Sequence, residues 1–150
     1  MLHSCNISVA RSIAEVKCER DRTAAVSDLA RIIGDYNDAW NRQDVDAICA
    51  AHAPGMVFEN HTAGERAEGA AVHEHIATIF RNWPDLRFAG RATYVGPDFV
   101  VQEWTATATH PSGKTVSWDG VDIFPFEGDL ILRKDVYSNA SRRVAEQLAS

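Results

Sequence analysis

Apolar and polar residues recur along this chain with two different periods. Between Thr23 and Arg42 the apolar positions Val26, Leu29, Ile32, Ile33, Tyr36 and Trp40 return every three or four residues. That spacing predicts an amphipathic helix with Tyr36 and Trp40 in its buried stripe. Asp44 is placed to cap a second helix, Val45–His52, which Pro54-Gly55 stops. Helical spacing returns from Gly69 to Trp83 through Val72, Ile76, Ile79 and Phe80, and Pro84 ends it. Elsewhere the period is two. Met56–His61 places Met56, Phe58 and Asn60 on one side and Val57, Glu59 and His61 on the other. A polar turn follows it. Leu86–Val95, Phe99–Thr109 and the two arms of Thr115–Tyr137, separated by turns rich in Gly and Pro, predict a four-stranded antiparallel meander. Helices first and a long sheet after them imply an α+β domain whose curved sheet buries one face under the helices. Residues 1–22 carry neither cap nor breaker and read as a loose or helical extension ahead of a domain spanning 23–150.

The hairpin Thr115–Tyr137 turns at Gly128-Asp129, a Gly-first pair that suits a type II′ loop. Counting back from Glu127 opposite Leu130 sets Phe126 against Ile131, Phe124 against Arg133, Asp122 against Asp135 and Gly120 against Tyr137, all on one face. Facing carboxylates lie roughly 5 Å apart at Cβ and repel. In a dry place one of the two takes up a proton, giving an acid beside a base. Two simpler readings compete with this one. Arg133 neutralises the pair as a structural network, or Pro125 marks a bulge that breaks the register. Between Trp118, Phe124 and Phe126, Asp122 is expected to be buried, which raises a carboxyl pKa. Val121, Ile123 and Val136 are expected on the opposite face. A second apolar face needs a partner, and a homodimer through the outer sheet face is the simplest one.

Composition narrows the chemistry. At 150 residues, 45% hydrophobic and 24% charged, the chain suits one globular domain that buries roughly 70% of its unfolded surface. A net charge of −6 with dispersed Arg and Lys argues against nucleic acid. No apolar run approaches the roughly 20 residues needed to cross a bilayer, and the first 22 residues do not resemble a secretory signal, so the cytoplasm is expected. Cys5, Cys18 and Cys49 lack C-x-x-C spacing and are expected as reduced thiols. His73 and His75 cannot share a helix face, so no metal is expected. There is no phosphate loop or nucleophile elbow, and no cofactor is expected.

The order of elements, with Trp40-Asn41-Arg42-Gln43-Asp44, Phe58-Glu59-Asn60, Trp83-Pro84-Asp85-Leu86, Gly120-Val121-Asp122-Ile123-Phe124 and Arg133-Lys134-Asp135-Val136-Tyr137, resembles the nuclear transport factor 2-like superfamily. It is most similar to the SnoaL-like polyketide cyclase and ketosteroid isomerase-like branch, over about Val26 to Leu148. The resemblance implies a cystatin-like α+β barrel: a cone-shaped, curved antiparallel sheet wrapped around three helices from the first half of the chain, with a mostly apolar cavity. It matches Tyr36 to the isomerase tyrosine and Asp122 to its second acid, while the isomerase base position holds Asn60. Similarity to limonene-epoxide hydrolases pairs Asn60 with Asp135 around a water, but their Arg and second Asp fall at Trp104 and Ala106. Polyketide cyclases of this branch use one Asp as acid and base, and Asp122 matches it best.

The expected catalytic residues are therefore Asp122, Asp135 and Asn60. Asn60 could instead satisfy backbone at a strand end. Tyr36, Phe58, Trp104, Trp118, Phe124 and Tyr137 are expected to contact a small hydrophobic ligand bearing a carbonyl or hydroxyl; the same residues also serve as ordinary core. The expected activity is cofactor-independent acid/base chemistry, a cyclisation, isomerisation or hydration of a polyketide-like or terpenoid-like substrate. The alternative is a non-catalytic ligand-binding or dimerising module on the same fold.

Overall fold

The computed structural model describes residues 13–150, apart from the side chains of residues 13, 20 and 23–27. The first twelve residues of the expected extension, and the Val26 side chain, lie outside the described residues. The order is α1 (Ile13–Arg42), α2 (Val45–Ala50), β1 (His52–Asn60), β2 (Glu65–Glu68), α3 (Ala71–Asn82), β3 (Arg87–Val95), β4 (Phe99–Thr109), β5 (Thr115–Glu127), β6 (Leu130–Ser138) and α4 (Ala140–Ala149). The fold is α+β, and the six strands form one curved, unclosed sheet in the order β2-β1-β6-β5-β4-β3.

α1 begins ten residues before Thr23, and its stripe of Leu29, Ile33, Tyr36 and Trp40 is buried against the sheet. Asp44 caps α2 by accepting a hydrogen bond from the Ala47 N–H at 3.0 Å. Pro54-Gly55 does not stop a helix. It lies inside β1, where Gly55 takes φ +74° and the register against β6 shifts. His52 is accordingly a strand residue. β1 runs parallel to β6, so the sheet is mixed rather than wholly antiparallel. The expected polar turn after β1 contains β2, which pairs antiparallel with β1. β3 to β6 form the predicted meander. α4 had no counterpart in the sequence reading, although Ala140, Val144 and Leu148 recur every four residues and pack on the core.

The hairpin register departs from the simple count at one point. Glu127 faces Leu130 and Phe126 faces Ile131, but farther from the turn Ile123 faces Asp135, Asp122 faces Val136 and Gly120 faces Ser138. Two residues of β5 (124–125) span the gap filled by three of β6 (132–134), so the extra residue belongs to β6. β5 alternates without interruption, its even positions Val116 to Phe126 all buried. Phe126 N–H points away from β6 to Asp98 O, so Pro125 lacks the very N–H that would bond β6 beside the bulge. The consequence is that Asp122 and Asp135 lie on opposite faces. Val136, expected outside, is buried inside at 6% exposure.

Two side-chain amides complete the sheet where strands lack neighbours. Asn41 on α1 both donates to Phe88 O and accepts from Phe88 N on the edge strand β3. Gln147 on α4 does the same for Ser117, in the part of β5 that outruns β6. The first ties the helix layer to one rim of the sheet, and the second lays α4 across the other.

Candidate functional site

β5 and the bulged β6 build the floor of the cavity. The extra residue turns Lys134 inward, and its Nζ lies 2.5 Å from Asp122 Oδ2, with both residues buried. Four rings surround the ammonium: Trp40 and Phe124 with centroids at 4.8 Å, Tyr36 at 5.7 Å and Phe58 at 5.8 Å. Each lies within the distance at which a ring face attracts a cation. An unpaired charge at this depth would cost several kcal/mol, so each member holds the other's charge in place.

Two recesses of about 220 and 230 Å³ meet at this pair and share Trp40, Phe88, Trp104, Asp122 and Lys134. Asn41 and Gln102 add polar groups to the first, while Phe58, Trp83, Trp118 and Val144 make the second more apolar. Gly120 shapes this wall. A Cβ there would sit 2.2 Å from Trp104 Cζ2, so only glycine lets the indole lie over β5. Three buried polar atoms on these walls lack a protein partner among the described residues: Asp122 Oδ1, Trp104 Nε1 and Trp40 Nε1. Unsatisfied groups at such depth are rare in folded proteins and mark places where a ligand or water supplies the missing bond.

The remaining expected site residues divide. Asn60 lines the larger recess, but its Oδ1 accepts from Ala63 N at 3.1 Å and so holds the turn after β1. Phe58, Trp104 and Trp118 line that recess, and Phe124 is fully buried beneath Lys134. Tyr36 is a core residue that contributes its ring to the ammonium cage, while its hydroxyl bonds His52 Nε2 at 3.0 Å and it borders a separate recess beside Ala51. Burial raises the Tyr36 phenol pKa and, helped by the nearby Lys134 charge, lowers His52 to about 4.

Asp135 and Tyr137 lie on the outer face. Arg133 and His61 bond Asp135, at 2.7 Å each, and hold its carboxyl below the usual range against the opposing effect of partial burial. Tyr137 is 46% exposed and stacks on His61. Glu59, His61 and Asp135 bring ligand-type atoms within 4.8 Å of one another, but the Arg133 guanidinium already bonds both carboxylates. That arrangement is an ion-pair network. Simple alternation does not reveal Lys134 as an inner residue. The usable signals were Pro125 and the repulsion implied by two facing aspartates, both of which favour the shifted register.

The family model described as SnoaL-like domain matches residues 33–134, from α1 through Lys134. No curated protein sequence matches the chain. Among solved structures, AclR from Streptomyces galilaeus, a hydroxylase candidate, is 22% identical over 83% of this chain and 86% of its own, with a TM-score of 0.72. A candidate SnoaL-like polyketide cyclase from Jannaschia sp. CCS1 is 19% identical over 84% of this chain and 95% of its own, TM-score 0.73. A ketosteroid isomerase-like protein from Catenulispora acidiphila, solved in complex with trimethylamine, is 15% identical over 77% of this chain and 91% of its own, TM-score 0.71. With the family model covering well over half the chain and these neighbours sharing its cone of helices and curved sheet, the protein belongs to the SnoaL-like domain family of the nuclear transport factor 2-like fold.

Proposed function

We propose that the protein is a cofactor-independent enzyme that moves a proton on a small hydrophobic substrate of polyketide or terpenoid type, with Asp122 as the acid/base. The observation that carries this reading is the Asp122–Lys134 pair at the junction of two recesses, with Asp122 Oδ1 left without a protein partner. A carboxylate so placed takes a proton from carbon beside a carbonyl, or returns one, while the adjacent ammonium steadies the negative charge on either partner. Trp104 Nε1 is a second donor for a substrate oxygen, and Asn60 is a polar group lining the same recess. Asp135 takes no part in this reading, because its carboxylate lies on the outer face. The same reading places the protein in the cytoplasm, in keeping with the free thiols of Cys18 and Cys49, and as a homodimer through the outer sheet face. No described helix is long and apolar enough to cross a membrane.

The test is turnover of a panel of polycyclic β-diketones and enones by wild type and Asp122→Asn. General acid/base help is worth about 10²–10⁴-fold, so the variant should lose that much in kcat with KM little changed. A second reading, a ligand carrier, draws support from Asn60 being engaged in a turn. Equal ligand binding by both proteins, with no turnover by either, would favour the carrier.

A further inference from the structure

The ammonium at the cavity floor suits a second kind of chemistry. Lys134 is buried and borders both recesses, so a ligand in either reaches its side chain. Its cage of Trp40, Phe124, Tyr36 and Phe58 and its partner Asp122 stabilise a positive charge at this point, whatever nitrogen group bears it. An iminium formed on the same nitrogen carries the same charge. A lysine in an apolar pocket beside a group able to take and return its proton has what is needed for carbonyl condensation.

We infer that Lys134 condenses reversibly with the carbonyl of an aldehyde or ketone ligand to form an iminium held against Asp122. This rests on the reading of the recess as the ligand site. Nζ gives a proton to Asp122 Oδ2, and its freed electron pair adds to the carbonyl carbon, forming the C–N bond. The carbonyl π pair moves to oxygen, which is protonated by Asp122. After the nitrogen loses a second proton to that carboxylate, the proton is passed to the hydroxyl, which departs as water while the nitrogen pair closes the C=N bond. The nitrogen keeps its third proton, so the product is the iminium cation itself beside the restored Asp122 carboxylate. The sum is carbonyl plus lysine ammonium giving iminium plus water, with no change of oxidation state.

The chain has only three lysines, Lys17, Lys114 and Lys134, and the other two are exposed. The experiment incubates the full chain with 2-naphthaldehyde and sodium cyanoborohydride near neutral pH, then follows adducts by intact mass and peptide mapping. Lys134 should be alkylated at least about ten-fold faster than Lys17 and Lys114, and Asp122→Asn should slow Lys134 alone by a similar factor. Lys134→Arg, with its fold checked by circular dichroism, should lose the fast adduct and keep the slow ones. Labelling of Lys134 no faster than the exposed lysines overturns the inference without any variant. If 2-naphthalenemethanol, which has the same rings and no carbonyl, still quenches tryptophan fluorescence in that case, the recess remains the ligand site and only the covalent step is wrong. If it does not bind either, the site reading falls with it.

Discussion

Lys134 Nζ and Asp122 Oδ2 meet 2.5 Å apart because one extra residue in β6 turns the lysine toward the cavity. The same residue sends Asp135 out to Arg133 and His61. A pair so deep holds two charges that no other ion pair among the described residues satisfies, and its removal is asymmetric in cost. Lys134→Met alone, or Asp122→Leu alone, should destabilise the fold by about 3–5 kcal/mol in urea unfolding. The double variant should cost much less than the sum of the two. Additive losses would mean that the two groups do not depend on each other.

His52 makes a prediction about acid. Its pKa is lowered to about 4, first by burial and then by the Lys134 charge, against about 6.5 for an unperturbed histidine. Between these values the unfolded chain binds the proton and the folded one does not. Stability is therefore fully present above about pH 6.5 and declines as pH falls toward 4, by about 1–2 kcal/mol once partial exposure is allowed for. Urea midpoints across pH 4–7 should show this slope, and His52→Gln should flatten it. An equal slope in the variant would assign the effect elsewhere.

Gly120 supports Trp104 by having no side chain. Gly120→Ala places a methyl group 2.2 Å from the indole, so either the ring or β5 moves. A loss of about 1–3 kcal/mol is expected, with a shifted Trp104 indole resonance in NMR spectra and weakened ligand quenching. An unmoved resonance and unchanged melting would show that the wall has slack.

The proposed dimer now rests on a different set of residues. Val136 is inside, Val121 and Ile123 remain half-buried on the outer face, and they are joined there by half-buried Val101 and, opposite it, Tyr94 at 56% exposure. Wild type should sediment as a dimer at micromolar concentration, and Ile123→Asp as a monomer. A monomeric wild type would remove the proposal.

α1 to α3 were legible because their burial is local in origin, whereas α4 was not read from the sequence. Leu29, Ile33, Tyr36 and Trp40 lie on one stripe whatever they pack against, and Asp44 caps α2 with an atom three residues from its partner. The meander was legible for the same reason, since turns and alternation fix β3 to β6 in order. β2 escaped notice because Glu65–Glu68 is polar and becomes a strand only through β1. Of the expected site, Asp122 and its apolar neighbours Phe58, Trp104, Trp118 and Phe124 come together, while Asp135 and Tyr137 do not.

Sequence by itself determined the family, the α+β class with the order of α1 to α3, β1 and the meander, and the inward face of β5, because these follow from periodicities of 3.6 and 2 and from motifs in fixed order. Tertiary structure decided which face of β6 meets that surface. Strand faces alternate residue by residue, so a single unpaired residue between Ile131 and Asp135 reverses every side chain beyond it. Whether that residue enters β5 or β6 depends on the backbone bonds the two strands make with each other and with their outer neighbours, which no local pattern records. The candidate site is accordingly a carboxylate that alternation places and a lysine that only strand pairing brings to it.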